Sequence, residues 1–246
     1  DFMFLAVVGV MVGGRVGYAI GYDPPLLWTF STDFPFWSLL ALNQGGMSSH
    51  GGVLGVILVS LWFAWSRKIS AWHVFDAAAL TCTPGLGLGR VANFINAELW
   101  GKAIPASMQS NPPWWSVKYP DELLAPGFNP SERLGDVFRE IDRVVLTQGV
   151  DPENTFLYLR DQMNIGNETI TNLIQPHLTA YYPSQLIQAL TDGPILFFLL
   201  ALIWLRPRTP GVIGAWFMIA YGVMRLLTEY WLRQPDADVD LIIGLQ

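Results

Sequence analysis

The sequence predicts an all-α polytopic membrane protein, with five transmembrane helices in this stretch of chain and a small extracytoplasmic domain between the third and fourth. Three observations carry that reading. Of 246 residues, 52% are hydrophobic and only 14% charged, against roughly a quarter charged in ordinary soluble domains. The apolar residues gather into runs close to the ~20 residues that a bilayer-spanning helix needs. Tryptophan, favoured at membrane–water interfaces, occurs 11 times.

The runs fall at roughly 2–22, 50–66, 73–97, 184–205 and 211–232. The first opens with Phe2-Met3-Phe4-Leu5 and carries Gly9, Gly13, Gly17 and Gly21 on one ridge. A small residue every fourth position lets a second helix backbone approach closely. The second run, the shortest, starts near His50 and holds Gly51, Gly52 and Gly55; the third holds Gly85, Gly87 and Gly89. Basic residues in short connections set orientation. Arg67-Lys68 follows the second run and Arg206-Pro207-Arg208 the fourth, so both connections are expected in the cytoplasm. Segments 23–49 and 98–183, and the tail after Arg233, then face outward. Trp28 and Trp37 suit the outer interface, and Trp62, Trp65 and Trp72 the inner one. The chain opens on Asp1 with no initiator Met, basic n-region or cleavage site, so the first run does not read as a signal peptide. The sequence reads as a fragment cut from a longer protein at both ends.

Domain organisation follows from these runs. Residues 1–97 carry the first three membrane helices and 98–183 an extracytoplasmic head. Residues 184–232 carry the fourth and fifth helices, and 233–246 a tail leading to a further span. The head is too long for a plain connector. Asn129-Pro130 reads as an N-cap with Pro at the first helical position, ahead of Val137, Phe138, Ile141, Val144 and Val145 at helical spacing. Asp151-Pro152-Glu153 repeats the signal before Phe156, Leu157 and Leu159. The net charge of −6 comes mainly from acids between Asp121 and Glu168. It therefore describes this one segment, and no nucleic-acid partner is expected. The single cysteine, Cys82, excludes an internal disulfide framework. His50, His73 and His177 are scattered with no cysteine nearby, which argues against zinc. No metal or cofactor is expected.

Three arginines stand in the wrong solvent. Arg15, Arg90 and Arg225 fall inside three separate apolar runs. A central charge costs roughly 2.5–3.5 kcal/mol on insertion scales, so such residues face a polar interior or cavity and default to a functional hypothesis. Under the orientation above, each lies past the midpoint of its span towards the outer side, and His50 opens the second span at that depth. Neighbours share their faces. Asn93 follows Arg90 by three, with Asn96 and Glu98 beyond; Tyr221, Arg225 and Glu229 form a stripe four apart; Tyr18 follows Arg15 by three. A purely structural account makes Arg225–Glu229 and Arg90–Glu98 ion pairs that hold the bundle. Cations clustered near the outer leaflet otherwise call for an anion, and the abundant one there is a phospholipid head group, which the planar guanidinium fork suits.

Five stretches carry a resemblance. They are Gly14-Arg15-Val16-Gly17-Tyr18, Gly45-Gly46-Met47-Ser48-Ser49-His50-Gly51-Gly52, the block Gly89-Arg90-Val91-Ala92-Asn93-Phe94-Ile95-Asn96-Ala97-Glu98-Leu99-Trp100-Gly101, Tyr182-Pro183-Ser184-Gln185-Leu186, and Tyr221-Gly222-Val223-Met224-Arg225 with Glu229 and Arg233-Gln234-Pro235-Asp236. In that order they resemble bacterial prolipoprotein diacylglyceryl transferases, touching every span. The Gly-Arg-x-x-Asn-Phe-x-Asn-x-Glu block is the specific part. The resemblance implies a multi-pass enzyme of the bacterial cytoplasmic (inner) membrane with seven spans, the first and last lacking here. It implies transfer of the diacylglyceryl group of phosphatidylglycerol to the lipobox cysteine thiol of a prolipoprotein, with release of glycerol phosphate. Phosphatidylglycerol, the prolipoprotein signal-peptide and lipobox region, and membrane lipids are the partners implied. Two positions depart from the family pattern: Tyr182 stands where His usually precedes Pro-Ser-Gln, and Gln188 where Glu usually follows three residues after that Gln. The outer loop is also longer than the family's.

Thioether formation at a saturated carbon needs a thiolate, and a free thiol has a pKa near ~8.5. It also needs charge stabilisation on the departing phosphate. Arg90 and Arg225 are the expected phosphate ligands, and His50, with an unperturbed pKa of about 6.5, the expected base. Arg15, Tyr18, Asn93, Asn96, Gly101, Ser184, Gln185 and Tyr221 complete the expected substrate-binding set. Glu98 and Glu229 belong to that set as the groups that fix the arginines. Ser48 and Ser49 beside His50 do not make a serine hydrolase, because sequence adjacency is not nucleophile–base geometry. The alternatives are a transporter for a lipid or small anion, whose paired interrupted spans are not visible here, and a structural scaffold, which the intramembrane arginines disfavour.

Overall fold

A computed structural model describes residues 1–32, 34–126, 128–135 and 137–233. The tail expected at 233–246 lies, beyond Arg233, outside the described residues. Among those described, β structure is limited to isolated bridges. The principal helices are α1 (Phe2–Gly21), α2 (Ser49–Arg67), α3 (Ala71–Ile95), α4 (Val137–Thr147), α5 (Thr155–Asn164), α6 (Glu168–Ile174), α7 (Ser184–Trp204) and α8 (Val212–Leu232). Four of them, α1, α2, α7 and α8, are long and apolar enough to cross a membrane. Helix α3 has 25 residues, enough for a span of about 37 Å. Asp76, Arg90 and its polar residues dilute its hydropathy.

Large apolar side chains on these helices stand outward, among them Phe4, Leu58, Leu202, Leu226 and Trp231. Exposure on this scale marks a surface made for an apolar partner, and the protein is a multi-pass membrane protein. The chain divides into two compact units. One comprises Asp1–Thr81 and Leu200–Met218, the other Cys82–Leu199 and Ile219–Gln246.

In the first unit the glycine ridge of α1 lies on α2. A Cβ on Gly13 would run into the Gly51 carbonyl and come within 2.9 Å of Gly55 Cα; one on Gly17 would meet Gly51 Cα at 2.7 Å. Gly21, the last member of the ridge, faces open space. Helix α2 begins one residue earlier than the sequence implies, because the Ser48 hydroxyl accepts from Gly51 N at 3.3 Å, the role of an N-cap. Asp76 of α3 is buried and caps the first turn of α8. Its two carboxylate oxygens accept from Gly211 N and Gly214 N, each at 2.7 Å, so a carboxylate sits at the positive helix end.

In the second unit, α4, α5 and α6 enclose a small core of Leu123, Leu134, Ile141, Val145, Leu159, Ile170, Ile174 and Leu178. Leu157 of α5 is exposed. Phe156 and Leu159 take the inward face, and one residue past Phe156 points about 100° away. Buried Glu122 closes the head. It accepts from Arg133 Nη2 at 2.9 Å, Thr179 N at 2.8 Å and Thr179 Oγ1 at 2.5 Å. Helix α7 contains a π-helical turn, Thr191–Ile195, with Pro194 inside it. Proline has no N–H to donate back along the helix, and a wider turn absorbs the interruption. There α7 meets α3: a Cβ on Gly87 would lie 2.9 Å from Gly193 Cα.

Candidate active site

The second unit holds Arg90, Asn93, Asn96, Glu98, Gly101, Ser184, Gln185, Tyr221, Arg225 and Glu229. Arg90 and Asn93 share a face of α3. Helix α3 ends just beyond them, and Ala97 and Leu99 take left-handed backbone angles, φ 52 and 56. That turn folds Glu98 back, and its carboxylate accepts from Asn93 Nδ2 at 2.8 Å. The Arg90–Glu98 pair considered from sequence does not form. The partner of Arg90 is Asp192 of α7, with Nε to Oδ2 at 3.6 Å. Asp192 is fully buried and interacts electrostatically with both Arg90 and Arg225. Sequence reading passed over it, although an acid inside an apolar run is itself the signal.

The stripe on α8 forms as its spacing implies. Arg225 Nη2 lies 2.9 Å from Glu229 Oε2, and Glu229 also pairs with Arg233. Tyr221 is half-buried one turn before Arg225. Arg225 Nη1 is buried with no hydrogen-bond partner among the described residues. The Arg90 side chain keeps 16% exposure. Arg225 thus has a free N–H donor beside a partly exposed Arg90, an arrangement that can take an oxyanion.

Other expected ligands are spent on the fold. Gln185 is buried, donating to Glu98 O at 2.7 Å and accepting from Tyr119 Oη at 3.1 Å. Ser184 donates to Leu99 O at 3.4 Å. A Cβ on Gly101 would strike the Tyr182 carbonyl and lie 2.9 Å from Leu232 O, so glycine is required there by close backbone approach. Gln188 is buried, its Nε2 3.5 Å from Thr228 Oγ1. Asn96 is exposed. Tyr119 is held above the ordinary phenol range by burial, which its bond to Gln185 partly offsets. Tyr181 is raised chiefly by burial and then by the Glu122 charge.

The first unit holds His50, Arg15 and Tyr18. His50 is exposed on the first turn of α2. Arg15 is 4% exposed, with all three guanidinium nitrogens on backbone carbonyls. Nε donates to Leu39 O at 2.9 Å, Nη2 to Ser38 O at 2.7 Å and Ala41 O at 3.2 Å, and Nη1 to Gly46 O at 3.0 Å and to Gly45 O. Gly46, at φ +80, packs so closely that a Cβ would come within 2.6 Å of the Tyr18 ring and 2.8 Å of Arg15 Nη1. Tyr18 in turn stacks on Tyr22 with ring centroids 5.5 Å apart.

Apolar helices carrying a guanidinium–carboxylate cluster define the class, a membrane protein with charged groups paired among its helices. The comparisons say which. The family model described as prolipoprotein diacylglyceryl transferase matches residues 1–245. The chain belongs to that family. A phosphatidylglycerol–prolipoprotein diacylglyceryl transferase from Bdellovibrio bacteriovorus is 33% identical over 97% of this chain and 71% of its own length. Similar proteins of that name from Serratia proteamaculans and Proteus mirabilis are 34% and 33% identical, over 100% and 99% of this chain and 69% and 68% of theirs.

Proposed function

We propose that the protein transfers the diacylglyceryl group of phosphatidylglycerol to the lipobox cysteine of a prolipoprotein, at the outer face of the bacterial inner membrane. The substrate thiolate attacks the saturated glyceryl carbon. A carbon–sulfur bond forms, the carbon–oxygen bond to phosphate breaks, and the electron pair leaves on glycerol phosphate. Arg90 and Arg225 bind the phosphate, and their N–H groups gain strength as its charge grows. His50 accepts the thiol proton. Asn93, Asn96 and Tyr221 orient the head group, with Glu229 fixing Arg225 and Glu98 fixing Asn93. Arg15, Tyr18, Gly101, Ser184 and Gln185 complete the substrate-binding set. Helix α3 adds a further span, third in chain order and bringing the total to five, its length sufficient despite its polar residues, and the head between α3 and α7 is extracytoplasmic.

The observation supporting the phosphate assignment is the free Arg225 Nη1, buried in an apolar helix with no described partner. An unpaired buried donor is costly, and an oxyanion is the partner that removes the cost. Purified protein in phosphatidylglycerol vesicles, given a lipobox peptide, should yield a thioether product with a mass gain of one diacylglyceryl group. A peptide whose cysteine is replaced by serine should not react. Peptide unmodified in vesicles of every anionic lipid would overturn the proposal.

A further inference from the structure

Asp192 is the one carboxylate of this cluster that the transfer chemistry has not used. It is fully buried, and its placement is set by two independent features. The π-helical turn Thr191–Ile195 widens α7 at this residue, and such turns recur at functional sites. The Gly87–Gly193 contact draws α7 against α3 one residue from Asp192 and three residues before Arg90. Within that joint the single Thr191 hydroxyl proton is shared between Asp192 Oδ1, at 3.3 Å, and Gln188 O, at 3.2 Å. Its other oxygen, Oδ2, has no hydrogen bond of good geometry and lies 3.6 Å from Arg90 Nε.

A carboxylate kept for stability would grip the guanidinium through two parallel bonds. One-sided contact at this distance is a poor stabilising pair, and buried ion pairs are weak stabilisers in any case. What the geometry achieves is different. Asp192 sits beside Nε, and the Arg90 side chain keeps 16% exposure.

We propose that Asp192 is a positioning residue for the transfer, aiming the guanidinium of Arg90 at the phosphate oxygens of the lipid substrate. This rests on the transferase reading above. Asp192 touches no reacting atom. Its charge fixes the direction of a donor that must be in place before the carbon–oxygen bond breaks. Misplacing such a group by about 1 Å costs on the order of 100-fold in rate.

The test is a cycle of four proteins in phosphatidylglycerol vesicles: unchanged, Asp192→Asn, Arg90→Ala and the double variant. Each is measured for thioether formation under single-turnover and steady-state conditions, and for thermal unfolding. Asp192→Asn keeps the shape and removes the charge. It should lower kcat roughly 10- to 100-fold while KM for the lipid moves less than about threefold. The double variant should be no slower than Arg90→Ala alone. Asp192→Glu, with the charge restored on a longer arm, should recover part of the loss. A merely structural role predicts lower yield and melting temperature, with full turnover per folded molecule; normal kcat in folded Asp192→Asn overturns the proposal, as does simple multiplication of the two single effects. If unchanged protein makes no thioether, the transferase reading fails separately. The unfolding cycle then still decides the pairing: non-additive shifts support it, and additive shifts overturn it.

Discussion

Replacing Arg225 by alanine separates chemistry from architecture, because the structure assigns the two very different sizes. Architecturally the loss is small. The Arg225–Glu229 contact is an i,i+4 pair on one helix, a class worth about 0.3–0.5 kcal/mol, and Glu229 keeps its second partner, Arg233. In a protein of this length that moves the melting temperature by about 1–2 °C. Chemically the loss is large. The variant removes Nη1, the donor with no other described partner, and one preorganised donor to a developing oxyanion is worth about 10²–10³ in rate, or roughly 2.7–4 kcal/mol. Arg225→Lys retains the charge and the reach to Glu229 but not the fork, so it should recover about tenfold over alanine and no more. Single-turnover thioether formation on purified variants, with melting curves on the same samples, reads both quantities. Near-normal rates in Arg225→Ala at matched folding would refute the reasoning and leave Arg225 as a helix-surface pair.

Other outcomes follow from the remaining contacts. Arg15→Met strips the donors from five carbonyls in segment 38–46; it should cost about 2 kcal/mol or more and speed amide exchange there, and unchanged exchange would contradict the clamp. Gly13→Ala should destabilise the α1–α2 contact by about 1–3 kcal/mol, whereas Gly21→Ala, facing open space, should be neutral or better in thermal unfolding. Lys68→Cys should resist an impermeant thiol reagent added outside intact cells, whereas a cysteine in the head should react; labelling at 68 would reverse the proposed orientation. In the head, Tyr119 and Tyr181 have folded values above their ordinary one, roughly 10. Stability from the neutral phenols is therefore complete below that pH and lost as pH rises towards the folded values. Phenolate absorbance should show late-titrating tyrosines, and Tyr181→Phe should remove one of them.

How much of this could be read from sequence depends on which side of each contact carries a distinctive residue. The α8 stripe was legible because partners four apart on one helix must meet, and Arg225 and Glu229 do. The helix limits were legible too, to within two residues at α1, α2, α3, α7 and α8, since length and apolarity define them. Arg90 was legible as a misplaced charge but its partner was not, because Asp192 reaches it from another helix through a turn that no period announces. Arg15 was legible only as a cation. Its ligands are backbone carbonyls, which every residue has and no sequence pattern marks.

The π turn in α7 also settles an angular problem. Gln188, Asp192, Leu196 and Leu200 are all buried and recur every fourth residue. Along an unbroken α-helix, at about 100° per residue, the direction drifts by about 40° at each such step, and Leu200 would point about 120° away from Gln188. One extra residue taken up in the wider turn subtracts about 100° of that drift. The polar half of the helix and its apolar half are thereby brought into phase. The same local widening that carries a charge towards Arg90 thus keeps a straight inward seam along the whole span, and straightening the turn into regular α-helix with no residue removed would rotate one half of that seam outward into the lipid.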